Sequence, residues 1–364
     1  MSQAAPRHLD ALTGIRGLAA WGVVLYHLRL SLSDLLPAPA LAALAKGYLA
    51  VDLFFMLSGF VIWYNYAARI RGGGWSEARV FLWRRFARVW PLHGVVLAGF
   101  AVLAVLLGAS GRDTAGYPWA ELPLHLMLVQ NWGFVPELAW NHPAWSISTE
   151  LAAYLLFPAL VAVCQWERLP SWALVSIAAG LALAIHLLFA ACGEPSLGQR
   201  ITQLGLWRCL AEFAMGIVMC LLWQRWQGNR GIALGAGLTC MATFALGWWL
   251  ELPETALVPA AFFTGLLALA LGQGAVGWLF SAKPLRYLGE ISYSTYLAHF
   301  GLFVAFKLLF VDASFQLDWI QLEGFLALVL AASAALYHGV EQPAQRWLNR
   351  NPPHWAGAAP QPAE

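Results

Sequence analysis

Arg16 and His27 lie eleven residues apart on the first apolar stretch of the chain. That interval is close to three helical turns, so both side chains project from one face, about 16 Å apart along the axis. Asp52, and Glu150 in Trp145-Ser146-Ile147-Ser148-Thr149-Glu150, each follow the start of another apolar stretch by a few residues. An ionisable group inside a membrane span is costly unless paired or hydrated, which makes each of these a functional candidate. An imidazole is suited to moving protons near neutral pH. A carboxylate beside it can hold its tautomer and steady the imidazolium. A lone intramembrane histidine is as readily a hydrogen-bonded packing residue, but three titratable groups at one depth favour a site. His93, His186, His299 and His338 lack that convergence and read as structural or interfacial, and Glu212 and Glu323 carry no assignment.

A cationic feature stands apart from these. In Phe81-Leu82-Trp83-Arg84-Arg85-Phe86-Ala87-Arg88-Val89-Trp90-Pro91, Arg85 and Arg88 are i and i+3, neighbours on one side of a helix. Two guanidiniums so placed can fork onto phosphate oxygens. Arginines at the ends of spans also set topology and bind lipid head groups, and composition by itself favours that plainer reading. Metal chemistry is not expected: the five cysteines sit in or beside apolar stretches, with no CxxC pair and no His/Cys ligand spacing.

The elements that carry these residues are membrane spans. The 364 residues are 60% hydrophobic and 11% charged, with a mean hydropathy of +0.63. A soluble chain carries about a quarter charged residues, so this one could not cover a water-facing surface. The net charge of +2 argues against a nucleic-acid partner. Windows of about 20 apolar residues span a bilayer, and they recur near 12–30, 47–66, 89–108, 145–165, 171–191, 204–223, 231–250, 254–272, 290–311 and 321–341. The apolar piece around Trp119–Trp132 is short and broken by Pro118 and Pro123, which suits an interfacial or re-entrant segment. Ala38-Pro39-Ala40 could pass for a signal-peptidase site, but Asp10, Arg16 and His27 make the run before it a poor leader, so a retained first helix is expected.

The expectation is therefore an all-α integral membrane protein with about ten transmembrane helices, forming one domain over 1–364 with a disordered tail at 352–364. With the N-terminus inside, fourteen Lys and Arg residues fall in cytoplasmic loops and four in the opposite ones. The positive-inside rule then puts both termini in the cytoplasm. It also puts His27, Asp52 and Glu150 at similar depth toward the outside, and Arg85 and Arg88 at the cytoplasmic face.

These same residues carry a resemblance. Leu9-Asp10-Ala11-Leu12-Thr13-Gly14-Ile15-Arg16 through Tyr26-His27 resembles the Arg-x10-His signature of the acyltransferase 3 family of polytopic membrane O-acyltransferases. Gly47-Tyr48-Leu49-Ala50-Val51-Asp52-Leu53-Phe54-Phe55-Met56-Leu57-Ser58-Gly59-Phe60 is similar to its second block, and Arg85-x-x-Arg88 with Trp90-Pro91 to its RxxR motif. Trp145–Glu150 is similar to its WSLSxE block, with Ile for Leu. Tyr287 to His299 and Val340-Glu341-Gln342-Pro343 resemble the closing blocks. Six blocks in order, from residue 9 to 343, make the likeness specific.

The resemblance implies ten core helices, an acyl-CoA donor used from the cytosol, His27 as catalytic residue and the two arginines as donor contacts. It tips the reading of Arg85 and Arg88 from topology to acyl-donor binding, with Arg16 along the route. The chain is expected to be the membrane domain without the SGNH-type domain that some relatives carry. The expected reaction moves an acyl group, acetyl by preference, to a hydroxyl of a cell-surface or exported carbohydrate or glycolipid, in the inner membrane. His27 would act as base or through a transient acyl-His, with Asp52 or Glu150 in support. No bound cofactor or metal is expected, acyl-CoA being a co-substrate. Acylation of a small-molecule (macrolide-type) sugar is an alternative within the family. A proton-coupled secondary transporter is an alternative outside it, although no inverted repeat supports that.

Overall fold

The computed structural model describes residues 7–272, 274–312 and 315–357, and among these every regular element is helical. In chain order they are α1 (Arg7–Leu28), α2 (Ala38–Leu44), α3 (Ala50–Ala109), α4 (Leu122–Met127), α5 (Ala144–Val163), α6 (Ser171–Ala191) and α7 (Ile201–Trp226). There follow α8 (Arg230–Trp249), α9 (Glu254–Leu271), α10 (Ala275–Phe280), α11 (Lys283–Glu290), α12 (Ser292–Phe310), α13 (Trp319–Leu336) and α14 (Gln342–Arg350). Nine helices among the described residues are long and apolar enough to cross a bilayer.

One of the nine is two spans long. At 60 residues, α3 would reach about 90 Å at 1.5 Å per residue, three times the hydrocarbon thickness. It breaks at Gly74, whose φ of 57° with ψ of −138° is open to glycine and strained for any other residue. The expected second and third spans are its two arms. About ten spans result, in an all-helical membrane protein.

The described chain divides into two compact units. The first comprises Met1–Gly22, Tyr48–Asn65 and Cys164–Ser292. Its helices meet through glycine, because in lipid close backbone approach and van der Waals packing replace the hydrophobic drive. A methyl group at Gly59 of α3 would strike the Phe213 carbonyl oxygen of α7, and one at Gly216 of α7 would strike the Met56 carbonyl oxygen of α3. The same reciprocity joins α1 and α11: Gly289 lies against the Thr13 carbonyl, and Gly17 against Leu288 and Gly289.

The second unit comprises Val23–Gly47, Tyr66–Val163 and Tyr293–Glu364. It holds the stretch between α3 and α5 that sequence suggested is re-entrant. That stretch contains a 3-10 turn at Trp119–Glu121, the single turn and a half of α4, and then turns. Trp140 adopts a left-handed backbone (φ 56°) and is held there by two bonds: its amide donates to Gly116 O at 2.9 Å and its indole to Pro118 O at 3.1 Å. Trp140 and Ala139 pack with Leu97, Phe100 and Ala104 of α3, which seats the whole stretch. The chain beyond Pro352 does not begin as a loose tail. Residues 354–356 form a 3-10 turn, Ala356 is buried, and Trp355 meets the Trp83 ring edge-on at 5.8 Å, so aromatic packing holds it; residues 358–364 lie outside the described residues.

The α3–α7 crossing yields a direct test. Gly216→Leu forces the two backbones apart, and overpacking of this kind costs about 1–3 kcal/mol or more. A clear fall in melting temperature in detergent is expected. Gly180→Ala, where a methyl group meets nothing within 4 Å, should leave that temperature unchanged or slightly raised.

Candidate active site

His27 ends α1 and belongs to the second unit. Its Nδ1 lies 3.0 Å from the Val23 carbonyl one turn back and 3.2 Å from Nε2 of His299 on α12. The His299 Nδ1 lies 3.1 Å from the Thr295 carbonyl. A carbonyl can only accept, so both Nδ1 atoms carry hydrogen. In a neutral His299 the Nε2 is then a bare acceptor, and the His27 Nδ1–H is shared between Val23 O and that nitrogen. The remaining lone pair of a neutral His27 is therefore on Nε2. The two imidazole centroids are 5.0 Å apart, and His299 is fully buried. The Phe300 ring meets His27 edge-on at 5.4 Å, and His142 stacks on Phe300 at 4.7 Å.

The carboxylates are placed differently from the sequence expectation. Asp52 sits in the first unit and receives both prongs of Arg208, Nε donating to Oδ1 at 2.6 Å and an Nη to Oδ2. Both residues are sealed from solvent. A third guanidinium N–H reaches the Leu197 carbonyl at 2.7 Å, and Glu212, one turn further along α7, is an electrostatic neighbour of the pair. Asp52 is thus committed to a buried cation rather than to an imidazole. Glu150 is half-buried on α5 and makes no hydrogen bond among the described residues. The sequence offered Asp52 or Glu150 to support the imidazole; in the structure the neighbours of His27 Nδ1 are His299 Nε2 and the Val23 carbonyl.

The rest of the block around Glu150 secures the site. Ser146 shares a 2.7 Å hydrogen bond with Tyr296 of α12, and the Ser148 hydroxyl accepts the Asn131 amide at 3.1 Å. The Ser148 carbonyl accepts the Trp132 indole N–H at 2.8 Å. Hydroxyls in lipid need partners, and here they bind α5 to α12 and to the stretch before it.

The two arginines of α3 are held unequally. Arg88 is ion-paired with Glu341, whose other oxygen accepts from Ser294 at 2.6 Å. Glu341 lies in a π-helical turn, Tyr337–Glu341, between α13 and α14. Such turns re-aim a side chain within a helix and recur at functional sites. Arg88 also lies over the Tyr293 ring, 5.5 Å from its centroid. Arg85 donates to the Tyr66 hydroxyl at 3.2 Å, while its Nε is buried with no partner among the described residues. Arg16 is half-buried on the α1 segment of the first unit.

Comparison with known proteins fits this ensemble. The acyltransferase domain family model matches residues 9–338. The chain belongs to the acyltransferase 3 family. It is 32% identical to acyltransferase MdmB of Streptomyces mycarofaciens, the match covering 98% of this chain and 96% of that protein. It is 24% identical to the peptidoglycan O-acetyltransferase OatA of Listeria monocytogenes, over 81% of this chain and 49% of that one. The O-acetyltransferase OatA of Staphylococcus aureus is also 24% identical, over 94% of this chain and 58% of the relative. The chain therefore spans about half the length of these O-acetyltransferases. No solved structure matches it. The protein is a multi-pass membrane acyltransferase.

Sequence reasoning missed His299, Arg208 and Glu341 as partners. His299 and Glu341 lie inside blocks that carry the family resemblance, which was the available signal. Their contacts join positions 272 and 253 residues apart, which no spacing encodes.

The Arg208 contact makes a prediction about Asp52. Asp52→Asn leaves a guanidinium buried without its counter-charge, a loss of about 3–5 kcal/mol in comparable pairs. Lower membrane levels and a lower melting temperature are expected. Asp52→Asn combined with Arg208→Gln should recover much of the stability, and recovery can be read from thermal unfolding in detergent.

Proposed function

We propose that this protein is an inner-membrane O-acyltransferase that uses cytosolic acyl-CoA, acetyl-CoA in the first instance, to acylate a hydroxyl of a cell-surface or exported carbohydrate. The observation that carries the reading is the arrangement at His27, a bare Nε2 opposite an Nδ1–H held by two acceptors.

The acceptor hydroxyl gives its proton to His27 Nε2 as its oxygen attacks the thioester carbonyl carbon. The tetrahedral intermediate collapses with cleavage of the C–S bond. The imidazolium returns the proton to the departing sulfur, leaving an ester, free CoA thiol and neutral His27. While His27 is charged, its Nδ1–H points at the neutral His299 nitrogen and the Val23 carbonyl. His299 does the work that a carboxylate does in a Ser-His-Asp site, without placing a second formal charge in the membrane. Arg85 and Arg88 suit the donor phosphates, since a guanidinium presents a fork of N–H groups. Glu341 and Ser294 hold Arg88 in one orientation. The excess of positive charge in alternate loops supports cytoplasmic termini and a donor that arrives from the cytosol.

His27→Gln should abolish thiol release from acetyl-CoA at unchanged membrane level, because an amide keeps hydrogen bonds but accepts no proton at neutral pH. Loss of a general base costs about 10²–10⁴-fold, so more than about a tenth of wild-type turnover would place the base elsewhere. His299→Asn, which keeps a hydrogen-bonding group but not the imidazole, should lower kcat by a smaller factor than His27→Gln and leave the KM for acetyl-CoA within about twofold.

Arg85→Lys and Arg88→Lys keep the charge but lose the planar fork. Each should raise the KM for acetyl-CoA several-fold while topology reporters read as in the wild type. Lys variants with wild-type kinetics would leave the arginines a topological role only.

A further inference from the structure

The part of α3 that carries Arg85 and Arg88 has two faces. At about 100° per residue, Phe81, Arg85 and Arg88 share one side of the helix, and Trp83, Phe86 and Trp90 share the opposite side. Phe81 is fully buried and packs against the rings of Tyr66 at 5.0 Å and Phe157 at 5.1 Å. That contact seats the arginine face. On the other face the three aromatic rings form a ladder, Trp83 stacked on Phe86 at 5.3 Å and Phe86 on Trp90 at 5.5 Å. The indoles at its two ends are tied to other elements. Trp90 donates to the Leu126 carbonyl of α4 at 3.1 Å, and Trp83 to the Leu348 carbonyl of α14 at 3.0 Å.

The tie at Trp83 is one of a series made by the C-terminal segment, which meets α3 in reverse order. Glu341 pairs with Arg88, Leu348 accepts from Trp83, and Trp355 meets the Trp83 ring edge-on at 5.8 Å. A methyl group at Gly357 would lie 3.9 Å from the Val80 side chain. Arg88 and Trp83 point from opposite faces, so the segment passes around the helix. The chain that enters this arm gives it less support. Residues 71–76 are exposed, and the run Gly72-Gly73-Gly74 contains the break in α3. Glycine leaves the backbone free to change direction. The Arg69–Glu77 ion pair that bridges the break at 2.9 Å is partly exposed and therefore weak.

A helix seated along one line can still roll about its axis, and a roll of this arm swings its guanidiniums. Contacts on the opposite face oppose that roll. We propose that the C-terminal segment 337–357 is a strap that fixes the rotation of the second arm of α3, and that Trp83 is the positioning residue through which it sets the affinity for acyl-CoA. The inference rests on the acyl-transfer reading above. It adds to the donor site a stretch whose last part, from Pro352, the sequence presented as a disordered tail.

Arg85 is the side chain that depends most on the strap. It lies between the two points that the strap holds, Trp83 and Arg88. Arg88 has an ion pair of its own, whereas the contacts of Arg85 are the Tyr66 hydroxyl at 3.2 Å and the rings of Tyr66 and Tyr154 at 5.3 and 6.0 Å. None of these belongs to the strap, so the strap reaches Arg85 through the backbone of α3. A fork of N–H groups binds phosphate only when it is aimed correctly. A changed roll therefore costs affinity even though the charge is kept.

The test uses CoA itself, which binds without turnover, and the full-length protein in phosphatidylcholine nanodiscs. Trp83→Phe keeps a ring in the ladder and removes the N–H, and Trp355→Ala removes the second contact from the side of the strap. The dissociation constant of CoA is measured by calorimetry for both, for Arg85→Gln, and for Arg85→Gln combined with Trp83→Phe. Each strap variant is expected to weaken CoA binding at least threefold, which is about 0.7 kcal/mol and within reach of one hydrogen bond. With Arg85 already replaced, Trp83→Phe should add less than about 1.5-fold, because residues that act as a coupled pair are not additive. Wild-type affinity in both strap variants would overturn the proposal, whatever their melting temperatures. So would an equal loss from Trp83→Phe with Arg85 present and with Arg85 replaced, since Trp83 would then act independently of the arginine. A folded wild-type protein that binds no CoA would instead remove the acyl-CoA reading, and this inference with it.

Discussion

A hydrocarbon layer cannot solvate a charge, and that constraint governs where every ionised side chain of this protein can be. The fully buried Asp52–Arg208 pair in the first unit meets it with a two-pronged contact and a third N–H on a main-chain carbonyl. In the second unit Glu341 is buried while its partner Arg88 remains partly exposed, and Ser294 occupies the second carboxylate oxygen. Removing either member of the Asp52–Arg208 pair, or the Arg88 that faces Glu341, would leave a buried charge stranded in a medium that offers no substitute. The same absence of water explains the glycine crossings, since helices that gain nothing from burying apolar area associate by approaching closely.

The constraint also shapes the pairing of His27 with His299. A carboxylate against His27 would have introduced a further charge that needed its own partner. A second imidazole, oriented by the Thr295 carbonyl, supplies an acceptor without one. It is a weaker stabiliser of an imidazolium than a carboxylate is, and the Val23 carbonyl shares the load. Helix α12 links this pair to the arginines. Ser294 on that helix holds Glu341 and so Arg88, while His299, about 7.5 Å further along the axis, faces His27. One rigid element thereby sets the orientation of Arg88 and of His27, the precision that the proposed transfer between two bound substrates would require.

Much of this protein was determined by the order of its residues. Composition excluded a soluble fold, since 11% charge cannot cover a water-facing surface. The 20-residue periodicity of apolar windows then counted the spans. Intramembrane ionisable residues are rare enough that Arg16, His27, Asp52, Glu150 and the Arg85–Arg88 pair stood out by type and position. Those signals are local: each is a property of one helix, and a single helix in lipid must satisfy its own backbone whatever its neighbours do.

Partnership was decided by tertiary structure. Asp52 and Glu150 were equally good candidates to support His27, because depth can be read from one span but rotation about the axis and lateral neighbours cannot. Packing gave Asp52 to Arg208 and put His299, one of four histidines that the sequence read as structural or interfacial, against His27. It also buried His125, Gln130 and Asn141 in a stretch whose sequence showed only a broken apolar piece. The physical reason is the same in each case. A span's sequence states which polar groups require a partner, and only the lateral arrangement of helices, set by close glycine contacts and interhelical hydrogen bonds, states which partner each one meets.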